Sequence, residues 1–126
     1  MTQLKLELLE EPFAIHRLSP SAKIPDEVFG EAFFNIVKTE EELSIVCRNS
    51  LTLNSERRDK AWSCIKVSGP LELNTTGILA KLSKVLADAQ ISIFAISTYD
   101  TDYILVKADK AVEAVAALSA AGFQFI

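Results

Sequence analysis

A chain of 126 residues, 49% apolar and 24% charged, is long enough for one compact domain or two very small ones sharing a core, and too apolar to stay disordered. Its formal net charge of −4 gives it no electrostatic reason to sit on phosphate backbones, so nucleic acid is not an expected partner. No apolar stretch reaches spanning length and no leader pattern is visible, so the expectation is a cytoplasmic protein with no membrane contact.

Leu4, Leu6 and Leu8 alternate with Lys5 and Glu7, the period of a half-buried strand. Glu10-Glu11-Pro12 interrupts the run and Phe13 to Leu18 resumes it, which predicts a β-hairpin. Ser19-Pro20-Ser21 is a turn cluster. Pro25-Asp26-Glu27 opens one helical turn that closes near Gly30. Phe33 to Val37 reads as a third strand and Leu43 to Arg48 as a fourth. Between them Thr39-Glu40-Glu41-Glu42 is a short acidic turn capped by Thr39. Residues 49–60 are polar apart from Leu51 and Leu53, and the boundary falls there: 1–58 as one half, 59–126 as the other. The basic cluster Arg57, Arg58 and Lys60, broken by Asp59, reads as a solvated linker. Both halves are dense in strands, which leaves open a structural repeat without sequence identity.

The second half is easier to read. Trp62 to Val67 roughly alternates, and Ser68-Gly69-Pro70 ends it. Ile78, Leu79, Leu82, Val85 and Leu86 recur at helical spacing, with Lys81, Lys84 and Asp88 mainly on the other face. Ile91 to Ile96 is a strand, 98–102 a polar connection, and Tyr103 to Val106 another strand. A helix over about Lys110 to Ala120 follows, with Gly122 placed to cap it. Phe123 to Ile126 closes the chain as a short strand. The order is β-α-β-β-α-β, an antiparallel sheet with two helices on one face. Both sides of Ile91 to Ile96 carry apolar groups, which predicts that the second face of that sheet is covered too.

Catalytic chemistry is scarce. His16, the single histidine, lies inside a strand-like run and has too few partners for a triad or a multi-histidine metal site; a structural or surface role is expected. Cys47 and Cys64 sit in apolar runs as buried free thiols. Glu40 to Glu42 lacks the spaced carboxylates of an oxygen-ligand site, and no nucleotide fingerprint occurs. No cofactor, no metal and no enzymatic activity are expected.

Two connections stand out. Gly69-Pro70-Leu71 to Thr75-Thr76-Gly77 joins a strand to a helix, where free backbone N–H groups and the positive dipole end can hold a carboxylate. Thr75 or Thr76 acting only as a helix cap is the plainer alternative. Ser97-Thr98-Tyr99-Asp100-Thr101-Asp102 packs hydroxyls and carboxylates between two apolar strands. It is either a solvated turn or a place where Asp100 or Asp102 meets the amino group of a ligand. Together the two connections would complement a zwitterionic amino acid.

Gly69-Pro70-Leu71, Thr76-Gly77-Ile78-Leu79-Ala80 and Ala89 to Val106, above all Ile96-Ser97-Thr98-Tyr99-Asp100-Thr101-Asp102-Tyr103-Ile104-Leu105-Val106, closely resemble the ACT-domain family. More narrowly they resemble the small bacterial tandem-ACT proteins related to the CASTOR arginine sensors of animals. Phe33-Phe34-Asn35-Ile36-Val37 and Glu42-Leu43-Ser44-Ile45-Val46-Cys47 extend the likeness into the first half. The resemblance implies an α+β, ferredoxin-like βαββαβ ACT domain preceded by a strand-rich, divergent ACT-like half. It implies a non-catalytic regulatory protein that binds an amino acid or similar small zwitterion where ACT domains meet, as a homodimer. The site residues it points to are Gly69, Pro70, Leu71, Thr75, Thr76, Gly77, Ser97, Thr98, Tyr99, Asp100 and Asp102. The alternative is an interaction or oligomerisation module with no ligand.

Overall fold

A computed structural model describes residues 5–68 and 77–126. In chain order its elements are β1 (Lys5–Leu8), β2 (Phe13–Leu18), α1 (Asp26–Phe29), β3 (Asn35–Lys38), β4 (Leu43–Arg48), β5 (Arg57–Ser68), α2 (Ile78–Asp88), β6 (Phe94–Ser97), β7 (Asp102–Lys107), α3 (Ala111–Ala120) and β8 (Gln124–Phe125). They fall into two compact units, a larger one of Met1–Glu10 with Ser63–Ile126 and a smaller one of Glu11–Trp62.

The larger unit has the expected ferredoxin-like order β5-α2-β6-β7-α3-β8. Leu82 and Leu86 of α2 and Ala114 and Leu118 of α3 close over Ile65, Val67, Ile104 and Val106 of the sheet, with Leu6 of β1 in the same core. Each Leu or Ile fully buried there contributes about 1.5–3 kcal/mol relative to exposure. Lys84 on the outer face of α2 pairs with Asp88 at 3.1 Å. Gly122, at φ +102°, ends α3: its N–H reaches the Ser119 carbonyl and the Phe123 N–H that of Leu118, so the helix stops in the left-handed turn that glycine adopts freely. The sheet face away from the helices is shielded as well: Cys64 and Leu105 alternate with the helix-facing residues and are fully buried.

Three sequence expectations change here. The strand expected over Ile91 to Ile96 begins only at Phe94, because Ile91 is still tied by its N–H to the Leu86 carbonyl at the end of α2. β1 makes no hairpin with β2. It pairs antiparallel with residues 65–68 of β5 and parallel with β8, so the strand order is β8-β1-β5-β7-β6. Seating Leu6 opposite Val67 buries it completely, and that burial draws β1 into this unit. The compact units therefore do not follow one cut after residue 58.

The smaller unit orders its strands β3-β4-β2-β5, using residues 57–62 of β5. Arg57, Arg58 and Lys60 are thus not a linker: they are exposed strand residues, with Arg58 opposite His16 and Arg57 opposite Arg17. Long charged side chains tolerate a strand whose other atoms hydrogen-bond and whose heads reach water. The polar segment before them is also structural. Leu51, Leu53 and Ser55 point inward while Thr52, Asn54 and Glu56 are exposed, an extended stretch lying on the sheet. Leu53 joins Leu18, Val28, Leu43, Ile45 and Cys47 in the core. α1 is a single turn that closes at Gly30, as the sequence suggests, with Val28 inward. Arg48 holds Glu31 at 2.7 Å and Glu11 at 3.1 Å, and the Arg48 guanidinium keeps the Glu31 carboxyl below its ordinary range.

Candidate functional site

The β6–β7 hairpin positions the polar residues singled out from the sequence. Ser97 ends β6 opposite Asp102, which opens β7. Between them the chain makes a tight turn. The Thr98 N–H donates to the Thr101 carbonyl at 2.8 Å, and the Thr98 hydroxyl reaches the same carbonyl at 3.0 Å. The Thr101 N–H is 3.1 Å from Thr98 Oγ1. The turn is closed by its own hydroxyl, the local competition with backbone pairing for which threonine is suited.

The two carboxylates differ. Asp100 lies exposed at the tip beside Tyr99, which is 78% exposed. Asp102 is half-buried, and Ser97 Oγ donates to its Oδ1 at 2.6 Å. That short, charge-assisted bond fixes one carboxylate oxygen and leaves Oδ2 for another donor. Among the described residues no lysine or arginine pairs with Asp102.

Thr101 is the functional-site residue that sequence reasoning passed over. It is only 8% exposed, and its hydroxyl donates to the Val67 carbonyl near the end of β5. The hairpin is thereby fastened beside the strand that leads into the connection before α2. The signal in the sequence is the Thr-x-x-Thr spacing of Thr98 and Thr101 within a turn.

At the other connection, Gly69, Pro70, Leu71, Thr75 and Thr76 lie outside the described residues. Gly77 is the N-cap of α2, at φ +84°, and the first helical bond runs from the Lys81 N–H to its carbonyl. The N-cap position therefore falls on Gly77 rather than on Thr75 or Thr76, and a glycine has no side chain with which to cap. α2 is 11 residues long, enough for its first-turn N–H groups to carry a partial positive charge.

The remaining chemistry is structural. His16 is 1% exposed, with Nδ1 3.0 Å from Ser55 Oγ; Nε2 has no partner among the described residues. Burial, then the nearby Arg58 and Lys60 charges, holds its pKa below the ordinary value. Cys47 and Cys64 are free and buried, and burial pushes their thiols up to about 11 and about 12, so neither is a poised nucleophile. Among the described residues no cluster of His, Cys, Asp and Glu gathers as a metal site, and no helix is long and apolar enough to cross a membrane.

The family model described as "ACT domain" matches residues 57–120, and a model of an N-terminal domain matches residues 11–51. Among solved structures, protein Atu0741 from Agrobacterium tumefaciens is 35% identical over 100% of this chain and 94% of its own, with a TM-score of 0.89. Protein VC0802 from Vibrio cholerae is 21% identical, covering 93% and 88% of the two chains, at a TM-score of 0.69. The regulatory subunit of aspartate kinase from Thermus flavus is 15% identical, covering 95% and 97%, at 0.64; at such identity the likeness speaks for the fold alone. No curated protein matches the chain.

Proposed function

The chain belongs to the ACT domain family, and from this we propose that it is a non-catalytic regulatory protein that binds an amino acid or a similar small zwitterion, working as a homodimer in the cytoplasm. The smaller unit is in this reading a divergent ACT-like half, and the narrower relationship is to tandem-ACT proteins of the CASTOR-related kind. The regulatory role is carried over as part of this proposal from the family, and the regulatory subunit of aspartate kinase shares the fold.

The observation that carries the reading is the state of Asp102. Its carboxylate is half-buried, held by Ser97 at 2.6 Å, and without a cationic partner among the described residues. A ligand ammonium group would supply that partner. The N–H groups at the start of α2, beyond Gly77, would meet the ligand carboxylate. Asp100, exposed at the turn tip, is the weaker candidate of the two. Gly69, Pro70, Leu71, Thr75 and Thr76 complete the proposed site, with Thr98 and Tyr99 at its rim.

A thermal-shift screen of the common L-amino acids tests this, since a ligand bound only by the folded state raises the melting temperature by mass action. At least one amino acid should stabilise the protein, Asp102→Ala should abolish the shift, and Asp100→Ala should keep it. No shift with any amino acid at millimolar concentration counts against ligand binding. A full shift in Asp102→Ala removes the role assigned to that carboxylate.

A second reading, an assembly module without a ligand, is favoured by β6, which pairs only with β7 and leaves its other edge open among the described residues. Light scattering of the ligand-free protein tests the assembly: a strict monomer excludes self-assembly through that edge and the homodimer alike, while the amino-acid screen separates the two readings.

A further inference from the structure

The two units order their strands alike, β6-β7-β5-β8 in the larger, with β1 inserted before the last, and β3-β4-β2-β5 in the smaller. Where the larger unit lays α3 between its third and fourth strands, the smaller lays the extended stretch of residues 49–56. Leu53 of that stretch is buried in the core. Near its ends the Leu51 N–H donates to the Arg48 carbonyl at 3.0 Å and the Glu56 N–H to the Arg17 carbonyl at 2.9 Å. Between them Ser55 Oγ lies 3.0 Å from Nδ1 of His16. His16 is 1% exposed, and its Nε2 has no partner among the described residues.

The groups around His16 make no provision for a charged ring. Ile45 of β4 stands opposite it, with Leu43 and Cys47 on the same face. The Cys47 thiol, pushed up to about 11 by burial, stays neutral. On its other side His16 faces Arg58 of β5, with Lys60 two residues on, and both are cationic. β3 brings Ile36 and α1 brings Val28, while Asp26 and Glu27 of α1 are exposed. Arg17, the next residue of β2, points to the other face and pairs with Glu42 at 3.0 Å. The stretch turns Leu53 and Ser55 inward and Glu56 outward. Protonation makes both ring nitrogens donors. Nε2 then carries a buried N–H without an acceptor, beside two like charges, and burial and charge both work against that state. Lifting one short segment admits water to the ring and disturbs less structure than opening the sheet.

We propose that His16 and Ser55 form an acid-released latch: with His16 neutral, residues 51–56 lie closed on the smaller unit, and protonation of His16 frees them and uncovers Leu53 and the apolar surface beneath. The latch needs no ligand and stands apart from the reading of the site around Asp102.

Because His16 is the single histidine, its imidazole resonances report its titration directly in the full chain. The midpoint should lie below 6.5, and a midpoint at or above that value would overturn the latch. Native-state hydrogen exchange of the 15N-labelled protein at pH 7.5 and 5.5, each amide corrected for its intrinsic rate, reads the opening. Protection of Leu51 and Glu56 should fall by up to about tenfold at the lower pH. Ile45 and Val46, in the middle of β4, and Ile91 and Phe123 of the larger unit should keep theirs. His16→Gln should remove the fall, and Ser55→Ala should lower the protection of Leu51 and Glu56 already at pH 7.5. Unchanged protection of Leu51 and Glu56 in the parent, or an equal fall in His16→Gln, would overturn the proposal. So would a fall shared by Ile45 and Val46, since the unit would then open as a whole. If His16→Gln does not fold, Ser55→Ala decides: protection unaltered at pH 7.5 removes the hydroxyl from any latch.

Discussion

The two units lay down their strands in the same order and cover them differently. The larger one closes its sheet with two helices of 11 and 10 residues. The smaller one has a single four-residue turn of helix and, in place of a second helix, the extended stretch carrying Leu51, Leu53 and Ser55. Strand order is held by backbone pairing, whereas the cover has only to deliver apolar surface at the right points. A helix does so with a period of 3.6 and an extended chain with a period of 2. Either suffices here.

The sharpest way to break this comparison is to remove one cover residue from each unit. Leu118→Ala in α3 and Leu53→Ala in the extended stretch should each cost about 2–5 kcal/mol in urea unfolding, the range for emptying a buried leucine site. If Leu53→Ala costs under about 1 kcal/mol, the stretch is not a substitute for the helix.

The hairpins come next. Thr101→Val deletes the hydroxyl that Val67 accepts from and should destabilise by about 1–2 kcal/mol, with Thr101→Ser restoring most of it. An equal loss in the serine variant would assign the effect to packing instead.

His16 gives the smaller unit its own pH response. Its folded pKa lies below the ordinary 6.5, so the unfolded chain takes up a proton first. The stabilisation is complete above pH 6.5 and is lost as pH falls toward the folded value, with a slope of at most about 1.4 kcal/mol per pH unit. Glu31 acts in a separate window: its lowered pKa adds stability above about 4.5 that is lost below it. Urea unfolding at pH 7.5 and 5.5 should therefore differ in the parent and hardly at all in His16→Gln. A difference that persists in the variant would remove His16 as its cause.

Smaller still is the strain at Ala61, where β5 departs from regular pairing with β2 and φ is +65°. Its N–H is held by Asn49 Oδ1 at 2.9 Å, which keeps the bulge in place. Ala61→Gly relieves the left-handed conformation and should stabilise by up to about 1 kcal/mol, despite the greater freedom of the unfolded chain. The least effect is expected at the surface pair of Arg17 and Glu42, whose side chains are 42% and 40% exposed: Arg17→Met should change stability by about 0.5 kcal/mol or less. A larger loss there would mean that the two hairpins are fastened with similar strength after all.

Features set by neighbouring residues were legible in the sequence. The face of α2, the Thr39 turn and the Gly122 stop follow from spacing, hydroxyl geometry and the freedom of glycine, and each acts over a few residues. So did the larger unit's order of strands and helices, since its periods differ cleanly. Of the candidate site, the hairpin was marked by its polarity between apolar runs. The difference between Asp100 and Asp102 was not, because it depends on which residue lies across the strand pair.

The same division holds for the molecule as a whole. Alternation told that β1 buries one face, but only the folded chain decided that its partners are β5 and β8 rather than β2. A strand's pattern specifies which side chains seek the core and says nothing of which strand lies alongside, since every backbone offers the same N–H and C=O groups. Arg57, Arg58 and Lys60 looked like linker for that reason: their charge predicts exposure, and exposure is compatible with a paired strand. Thr101 likewise became a fastening rather than a turn residue only when Val67, distant in the chain, arrived beside it.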